Sequence, residues 1–346
     1  MRVMVAMSGG VDSSVAAALC LDAGHEVVGV TMRLWGGESD TGCCAVSDVD
    51  DARRVAHQLG IDHHVFNFGD EFGRHVIDPY VAAHAAGSTP NPCIECNRHL
   101  KFDKLVRRAH ALGFDTIATG HHARRVDRDD GTVRIRRGVD RAKDQSYVLY
   151  PLRAEVLAGV LLPIGELTKA EVRRIAIERG LRTADKPDSQ DVCFVTRSEG
   201  RVRFLGDRIP LRPARVVDLD GSEVGRVDAV ELVTIGQRRG LELAGGPARR
   251  FVVDVDTAAA VVTVGSDRDL DRDEVIVSDL VWTANARRGR FDVQVSAHGE
   301  ARPALVEPLD EHTTAIRWDL SCRRVAPGQS VVIYEGDEVV GGGIAR

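Results

Sequence analysis

The chain has 346 residues, 43% hydrophobic, 28% charged and only 5% aromatic, with a formal net charge of −6. That length exceeds one typical core and predicts two or three domains. No apolar run approaches the roughly 20 residues that span a bilayer. Val3-Met4-Val5-Ala6-Met7 is too short for a signal peptide, so a cytoplasmic protein is expected. Seven cysteines, an odd number in a large chain, argue against a secreted disulfide framework.

In chain order, 2–7 reads as a buried strand and 11–23 as a helix closed by Gly24. A strand is expected over 25–34. An amphipathic helix follows over 48–59, with Val49, Ala52, Val55, Ala56 and Leu59 on one face. Then come a strand at 61–68, helices over 71–85 and 102–112, and a strand at 116–119 ending at Gly120-His121-His122. This alternation implies a parallel sheet with helices on both faces. Asp129-Asp130-Gly131 suits a hairpin turn with a return strand at 133–137, and Thr168-Lys169-Ala170-Glu171 has capping-box form at the start of a last helix.

After about 200 the pattern changes. Short Val/Ile-rich runs at 214–218, 251–256, 260–264, 274–277, 291–295, 314–318 and 330–334 are broken by Asp, Gly and Pro. The expectation is α/β overall: a parallel-sheet domain over 1–200, a small β-rich domain over 201–266 and a β-barrel over 267–346.

Ser8-Gly9-Gly10-Val11-Asp12-Ser13-Ser14 joins the first strand to the first helix. Glycines admit a phosphate to the backbone N–H groups, and the helix N-terminus adds partial positive charge. Asp12 is suited to a Mg²⁺ bridging the phosphates. A lone Gly turn with a Ser cap would be ordinary structure. The whole run resembles the pyrophosphate (PP) loop of ATP pyrophosphatases, which cleave between the α and β phosphates. It lacks the Gly-Lys-Ser/Thr ending of a Walker loop.

Asn91-Pro92-Cys93-Ile94-Glu95-Cys96 leads into the expected helix at 102. A thiol near a helix start and basic residues is a candidate nucleophile. The bland alternative is a structural pair or half a zinc site, but no second Cys/His pair at matching spacing is found. Cys93, Cys96 and Cys193 are also a chemically permissible ligand set for an Fe–S cluster. Eight Lys/Arg and four Asp lie between Arg124 and Lys143, and taken alone they read as a solvated hairpin.

Taken together, these runs resemble the bacterial tRNA-specific 2-thiouridylase family, an adenine nucleotide alpha hydrolase-like fold. Further matches are Gly42-Cys43-Cys44, Asp48-Val49-Asp50-Asp51-Ala52-Arg53, Ala118-Thr119-Gly120-His121, Lys143-Asp144-Gln145-Ser146-Tyr147, Lys186-Pro187-Asp188-Ser189-Gln190, Thr234-Ile235-Gly236-Gln237-Arg238, Pro327-Gly328-Gln329 and Gly341-Gly342-Gly343. The resemblance spans the chain. It implies thiolation at C2 of the wobble uridine in tRNAs for Lys, Glu and Gln, after adenylation by ATP. It implies that Cys193 carries a persulfide from a sulfur-relay protein or cysteine desulfurase, and that Cys96 is the nucleophile, the two able to form a disulfide. Ala6, Met7, Ser8, Gly9, Gly10, Val11, Asp12, Ser13, Met32 and Gly120 match ATP-contacting positions. Asn91, Pro92 and Cys93 match the target-base segment, and His121, Lys143, Asp144, Gln145 and Gln329 match tRNA-contacting positions. Read beside that resemblance, the basic hairpin is expected to help hold RNA phosphates. Many members carry Asp where Cys93 stands, and a Tyr where His122 stands. The stretch 297–301 lacks the basic-aromatic run of some members.

Two other functions share parts of this pattern. An ammonia-using ATP pyrophosphatase would adenylate a carboxyl or carbonyl without needing the thiols. An RNA-binding module would need neither Asp12 nor the thiols.

Overall fold

The computed structural model describes residues 1–34, 46–129, 131–188, 192–195, 200–243 and 249–346. Gly42-Cys43-Cys44 and Ser189-Gln190-Asp191 therefore lie outside the described residues. No described helix is long and apolar enough to cross a membrane.

Five parallel strands form the first sheet: β1 (Arg2–Ala6), β2 (Glu26–Arg33), β3 (His63–Asn67), β4 (Thr116–Thr119) and β7 (Val160–Leu161), in the order β3-β2-β1-β4-β7. β1 is buried nearly throughout, as a central parallel strand must be. Helix α1 (Val11–Asp22) and helix α2 (Val46–Leu59) cover it, with Ala52, Val55 and Ala56 buried from the predicted face of α2. The strand order reverses between β1 and β4. The crevice outside their C-terminal ends is where such sheets bind ligands, and Met7–Gly10 and Gly120 open onto it.

Helical structure starts earlier than the periodicity suggests. Pro92–Glu95, Cys96–Lys104 and Leu105–Ala111 follow without a break, the middle segment wound as a π-helix. The Asn91 side chain accepts from Cys93 N at 3.1 Å and Pro92 sits in the first turn, a strong start signal. Cys96 is thus one turn inside a helix, not ahead of it, and Cys93 is the cysteine at the N-terminus.

The hairpin β5 (Ala123–Asp127) and β6 (Val133–Arg137) leaves this sheet and joins another. Beyond it, β8 (Ala214–Val217), β9 (Glu223–Val227), β10 (Glu242–Leu243), β11 (Phe251–Asp256) and β12 (Val261–Gly265) make a small mixed sheet. The last unit contains β13 (Asp271–Trp282), β14 (Gly289–Gln294), β15 (Arg302–Pro308), β16 (Thr313–Arg323), β17 (Ser330–Glu335) and β18 (Glu338–Ala345). β13 pairs with both β16 and β18, which closes six strands into a barrel. β18 holds three consecutive glycines because a Cβ would meet Trp282 at Gly341 and the Tyr150 ring at Gly342, each at 2.7 Å.

β6 pairs with β18 through Arg136 and Glu338, fastening the first domain to the barrel. Four of the eight basic residues of this stretch meet acidic partners there. Arg128 reaches Glu338 at 2.9 Å, Arg134 reaches it at 3.4 Å, and Arg124 and Arg141 face Asp337. These charges meet acidic partners about the turn between β17 and β18, so the hairpin also ties the first domain to the barrel. Val332, Tyr334 and Val339 of the barrel pack in one core cluster with Ile94, Cys96, Leu100 and Tyr147.

Candidate active site

The turn after β1 is built to leave its amides open. Gly9 has φ +74°, and a Cβ there would meet the Asp48 carbonyl oxygen at 2.2 Å. Gly120, at the end of β4, faces the same turn, where a Cβ would lie 2.6 Å from Ser13 N. Gly10 caps α1 with no side-chain hydrogen bond of its own. Ser13 Oγ accepts from Ser8 N at 3.1 Å and donates to Gly10 O at 3.2 Å. Ala6, Met7 and Val11 form the strand end and helix start on either side, and Met32 lies near the end of adjacent β2. Phosphate oxygens fit this cradle.

Below the turn, Thr31 Oγ1 donates to Met7 O at 2.8 Å and lies 2.9 Å from His63 Nε2. Because that hydroxyl proton is spent on Met7, His63 donates from Nε2. Its Nδ1 is buried without a hydrogen-bond partner among the described residues.

Asp12 is the charged centre. Both its oxygens accept from Lys169 Nζ at 2.7 Å, and Oδ1 lies 3.1 Å from His122 Nε2. Burial pushes the Asp12 pKa up, but the His122 and Lys169 contacts outweigh it and hold the carboxyl below its ordinary range. Lys169 also reaches Asp188 at 2.8 Å, and Asp188 accepts from Lys143 and Arg173, each at 2.9 Å. A single carboxylate already gripped by an ammonium is a poor anchor for Mg²⁺, which prefers oxygen donors in octahedral array. The arrangement therefore does not support Asp12 as a metal ligand. Among the described residues, no group of three or more His, Cys, Asp or Glu is placed to hold a metal ion, so Cys93, Cys96 and Cys193 are not gathered as a cluster-binding set.

Lys186 ties the neighbouring segment down. Its ammonium bonds Asp48 at 2.6 Å and Asp51 at 2.7 Å. Asp48-Val49-Asp50-Asp51 and Lys186-Pro187-Asp188, distant in sequence, thus meet beside the phosphate turn.

Cys96 is buried in the main core cluster, and Cys193 packs partly buried against that cluster. Phe194 anchors the second segment, 5.6 Å from Phe72, 5.3 Å from Tyr80 and 5.0 Å from Phe204 between ring centres. Cys93 is exposed. The barrel clasps the approach to it: Thr89 N donates to Pro327 O at 2.9 Å, and Gln329 donates to Thr89 O.

Several residues matched to RNA contact are engaged internally. Asp144 accepts from Gly138 N at 2.9 Å, Ser146 Oγ at 2.7 Å and Arg137 at 3.0 Å. Gln145 accepts from His122 N at 2.9 Å. His121 is buried, 2.8 Å from Thr119 Oγ1, and burial drives its pKa well down. Lys143 remains partly exposed. Lys169 is the residue that sequence reading missed. It was legible only as part of a helix cap, because its partners lie far away along the chain.

Three family models match the chain: "tRNA methyl transferase HUP domain" at 1–197, "tRNA methyl transferase PRC-barrel domain" at 202–266 and "Aminomethyltransferase beta-barrel domain" at 272–345. A protein of Roseiflexus sp. (strain RS-1) is 46% identical, with 100% of this chain and 99% of that protein covered. One from Chloroflexus aurantiacus (strain ATCC 29366 / DSM 635 / J-10-fl) is 47% identical, covering 100% and 98%. One from Mycobacteroides abscessus is 46% identical, covering 99% of each. All three are named tRNA-specific 2-thiouridylase MnmA.

Proposed function

The chain belongs to the tRNA-specific 2-thiouridylase family, and we infer from its site how the residues divide the work. It is a tRNA-uridine 2-sulfurtransferase that uses ATP to adenylate C2 of the wobble uridine and replaces that oxygen with sulfur. The methyl-transfer wording of the domain models describes a chemistry that uses neither a pyrophosphate loop nor a thiol pair.

The uridine O2 attacks the α-phosphorus, the bond to the β-phosphate oxygen breaks, and pyrophosphate leaves. The Ser8–Ser13 turn and Gly120 hold the phosphates. Oxygen at C2 is now part of an AMP leaving group. A persulfide on Cys193, supplied by a sulfur-relay protein or cysteine desulfurase, attacks C2 with its outer sulfur and AMP departs. The Cys96 thiolate then attacks the Cys193 sulfur, leaving the outer sulfur on the base and a Cys96–Cys193 disulfide for an external thiol to reduce. Asn91, Pro92 and Cys93 border the base, and Lys143 takes an RNA phosphate. The substrates are the Lys, Glu and Gln tRNAs, and the work is done in the cytoplasm.

The observation that carries this reading is the phosphate turn at Gly9–Ser13 faced by Gly120, in a chain whose Cys96 and Cys193 both belong to the same domain. Reconstitution with tRNA, ATP and a persulfide donor tests it. Cys96→Ser and Cys193→Ser should each abolish 2-thiouridine formation, while ATP binding persists. Thiolation by either variant would contradict the assignment, as would activity that proceeds with ammonia alone.

A further inference from the structure

Lys169 begins the helix Lys169–Glu178, whose first turn is closed by a capping box between Thr168 and Glu171. Its backbone N–H donates to Asp140 at 2.9 Å. Helix and loop together aim one side chain, only 11% exposed, at the phosphate turn. An ammonium has three donors. Here the two oxygens of Asp12 and one of Asp188 take them.

Its neighbours carry charge of both signs. Asp12 and Asp188 supply two negative charges, while Lys169, Lys143 and Arg173 supply three positive ones. Asp140, which accepts from the Lys169 N–H and also faces Lys143, brings the carboxylates to three, so the cations here are matched and a polyphosphate must draw on one already paired. Asp12 alone would repel an incoming polyphosphate, and Lys169 neutralises it. The other two cations are placed differently. Arg173 is held by the Ala184 and Lys186 carbonyls as well as by Asp188. Lys143 is 39% exposed and pairs with Asp188. Asp188 keeps Lys143 and Arg173 if Lys169 lets go, so that contact is the one most readily exchanged.

We propose that Lys169 is the phosphate-binding lysine of this enzyme, trading its contact with Asp188 for an oxygen of the ATP β- or γ-phosphate while Asp12 holds it in place. When the α–β bond breaks, the electron pair goes to the pyrophosphate oxygen, and Lys169 stabilises that growing charge without giving up its proton. Asp12 and Asp188 are positioning residues. This inference rests on the sulfurtransferase reading above, but it concerns the ATP half-reaction alone.

Equilibrium binding of ATP and of AMP to the full-length protein, with tRNA-dependent pyrophosphate release, tests it. Lys169→Met should weaken ATP by about 10- to 100-fold, the worth of one charge-assisted contact. AMP, lacking the β- and γ-phosphates, should bind within about 2-fold of wild type on the same grounds. Lys169→Arg should recover part of the ATP affinity, which a purely structural latch would not separate from AMP binding. ATP binding and pyrophosphate release by Lys169→Met at wild-type levels would overturn the proposal alone. Equal loss of ATP and AMP would overturn it too, by reducing Lys169 to a structural tie. Failure of the wild-type protein to bind ATP would instead overturn the sulfurtransferase reading on which it rests.

Discussion

Asp188 stands between two lysines, 2.9 Å from Lys143 Nζ and 2.8 Å from Lys169 Nζ. Burial alone would raise its pKa, but those two contacts bring it down to about 2. A carboxyl whose folded pKa lies below its unfolded value stabilises the fold above about pH 4, and that contribution is lost as pH falls toward 2. Asp188→Asn should therefore cost about 2 kcal/mol at pH 7, in the range for hydrogen bonds to charged groups. The deficit should shrink in acid. Denaturant melts at pH 7 and pH 3 check this. Equal stability at pH 7, or a deficit unchanged at pH 3, would count against the network.

Gly120 lies so close to the start of α1 that a methyl group has no room, its Cβ falling 2.6 Å from Ser13 N and 2.7 Å from Asp12 C. The atoms met are backbone of one peptide unit, so nothing flexible can yield. Gly120→Ala should cost about 1–3 kcal/mol as overpacking and displace the phosphate turn. ATP affinity should fall more than the melting temperature suggests. Wild-type ATP binding in this variant would show that the close approach is incidental.

His63 gives the fold a second acid-sensitive point. Burial, with Arg53 and His64 adding to it, pushes its pKa from 6.5 to about 4. Below pH 6.5 the unfolded chain takes up a proton that the folded one refuses, so stability is complete above 6.5 and declines as pH falls to about 4. His63→Gln should flatten that part of the stability profile and leave the slope below pH 4 in place. Parallel profiles for the variant and wild type between pH 6.5 and 4 would contradict the assignment.

What could be read in the chain beforehand follows from how local each signal is. Ser8–Ser14 is contiguous and carries its own strand-to-helix context, so the phosphate turn was legible. The parallel order β1–β4 and the switch to short strands after 200 follow from periodicity. Asn91-Pro92 is a local start signal as well, and giving it weight over the weak periodicity of 92–101 would have placed Cys96 inside the helix. Lys169 is different. Its partners Asp12 and Asp188 are set by tertiary packing, and a lysine behind a capping threonine looks like any helix surface. The acidic partners of the basic hairpin were hidden for the same reason, since Glu335, Asp337 and Glu338 lie far downstream. Gly341–Gly343 carries no strand signal of its own; it is strand because it pairs with β13 and β17, and glycine because Trp282 and Tyr150 leave no room for a Cβ at 341 and 342.

The central claim is that this chain makes 2-thiouridine in tRNA by joining the Asp12 phosphate turn to the Cys96–Cys193 pair. Mass spectrometry of tRNA nucleosides from cells lacking the protein tests it most directly, with wild-type and Cys193→Ser genes returned separately. The account predicts that 2-thiouridine and its derivatives disappear on deletion, return with the wild-type gene and stay absent with Cys193→Ser. Normal levels in the deletion strain, or recovery with Cys193→Ser, would contradict it.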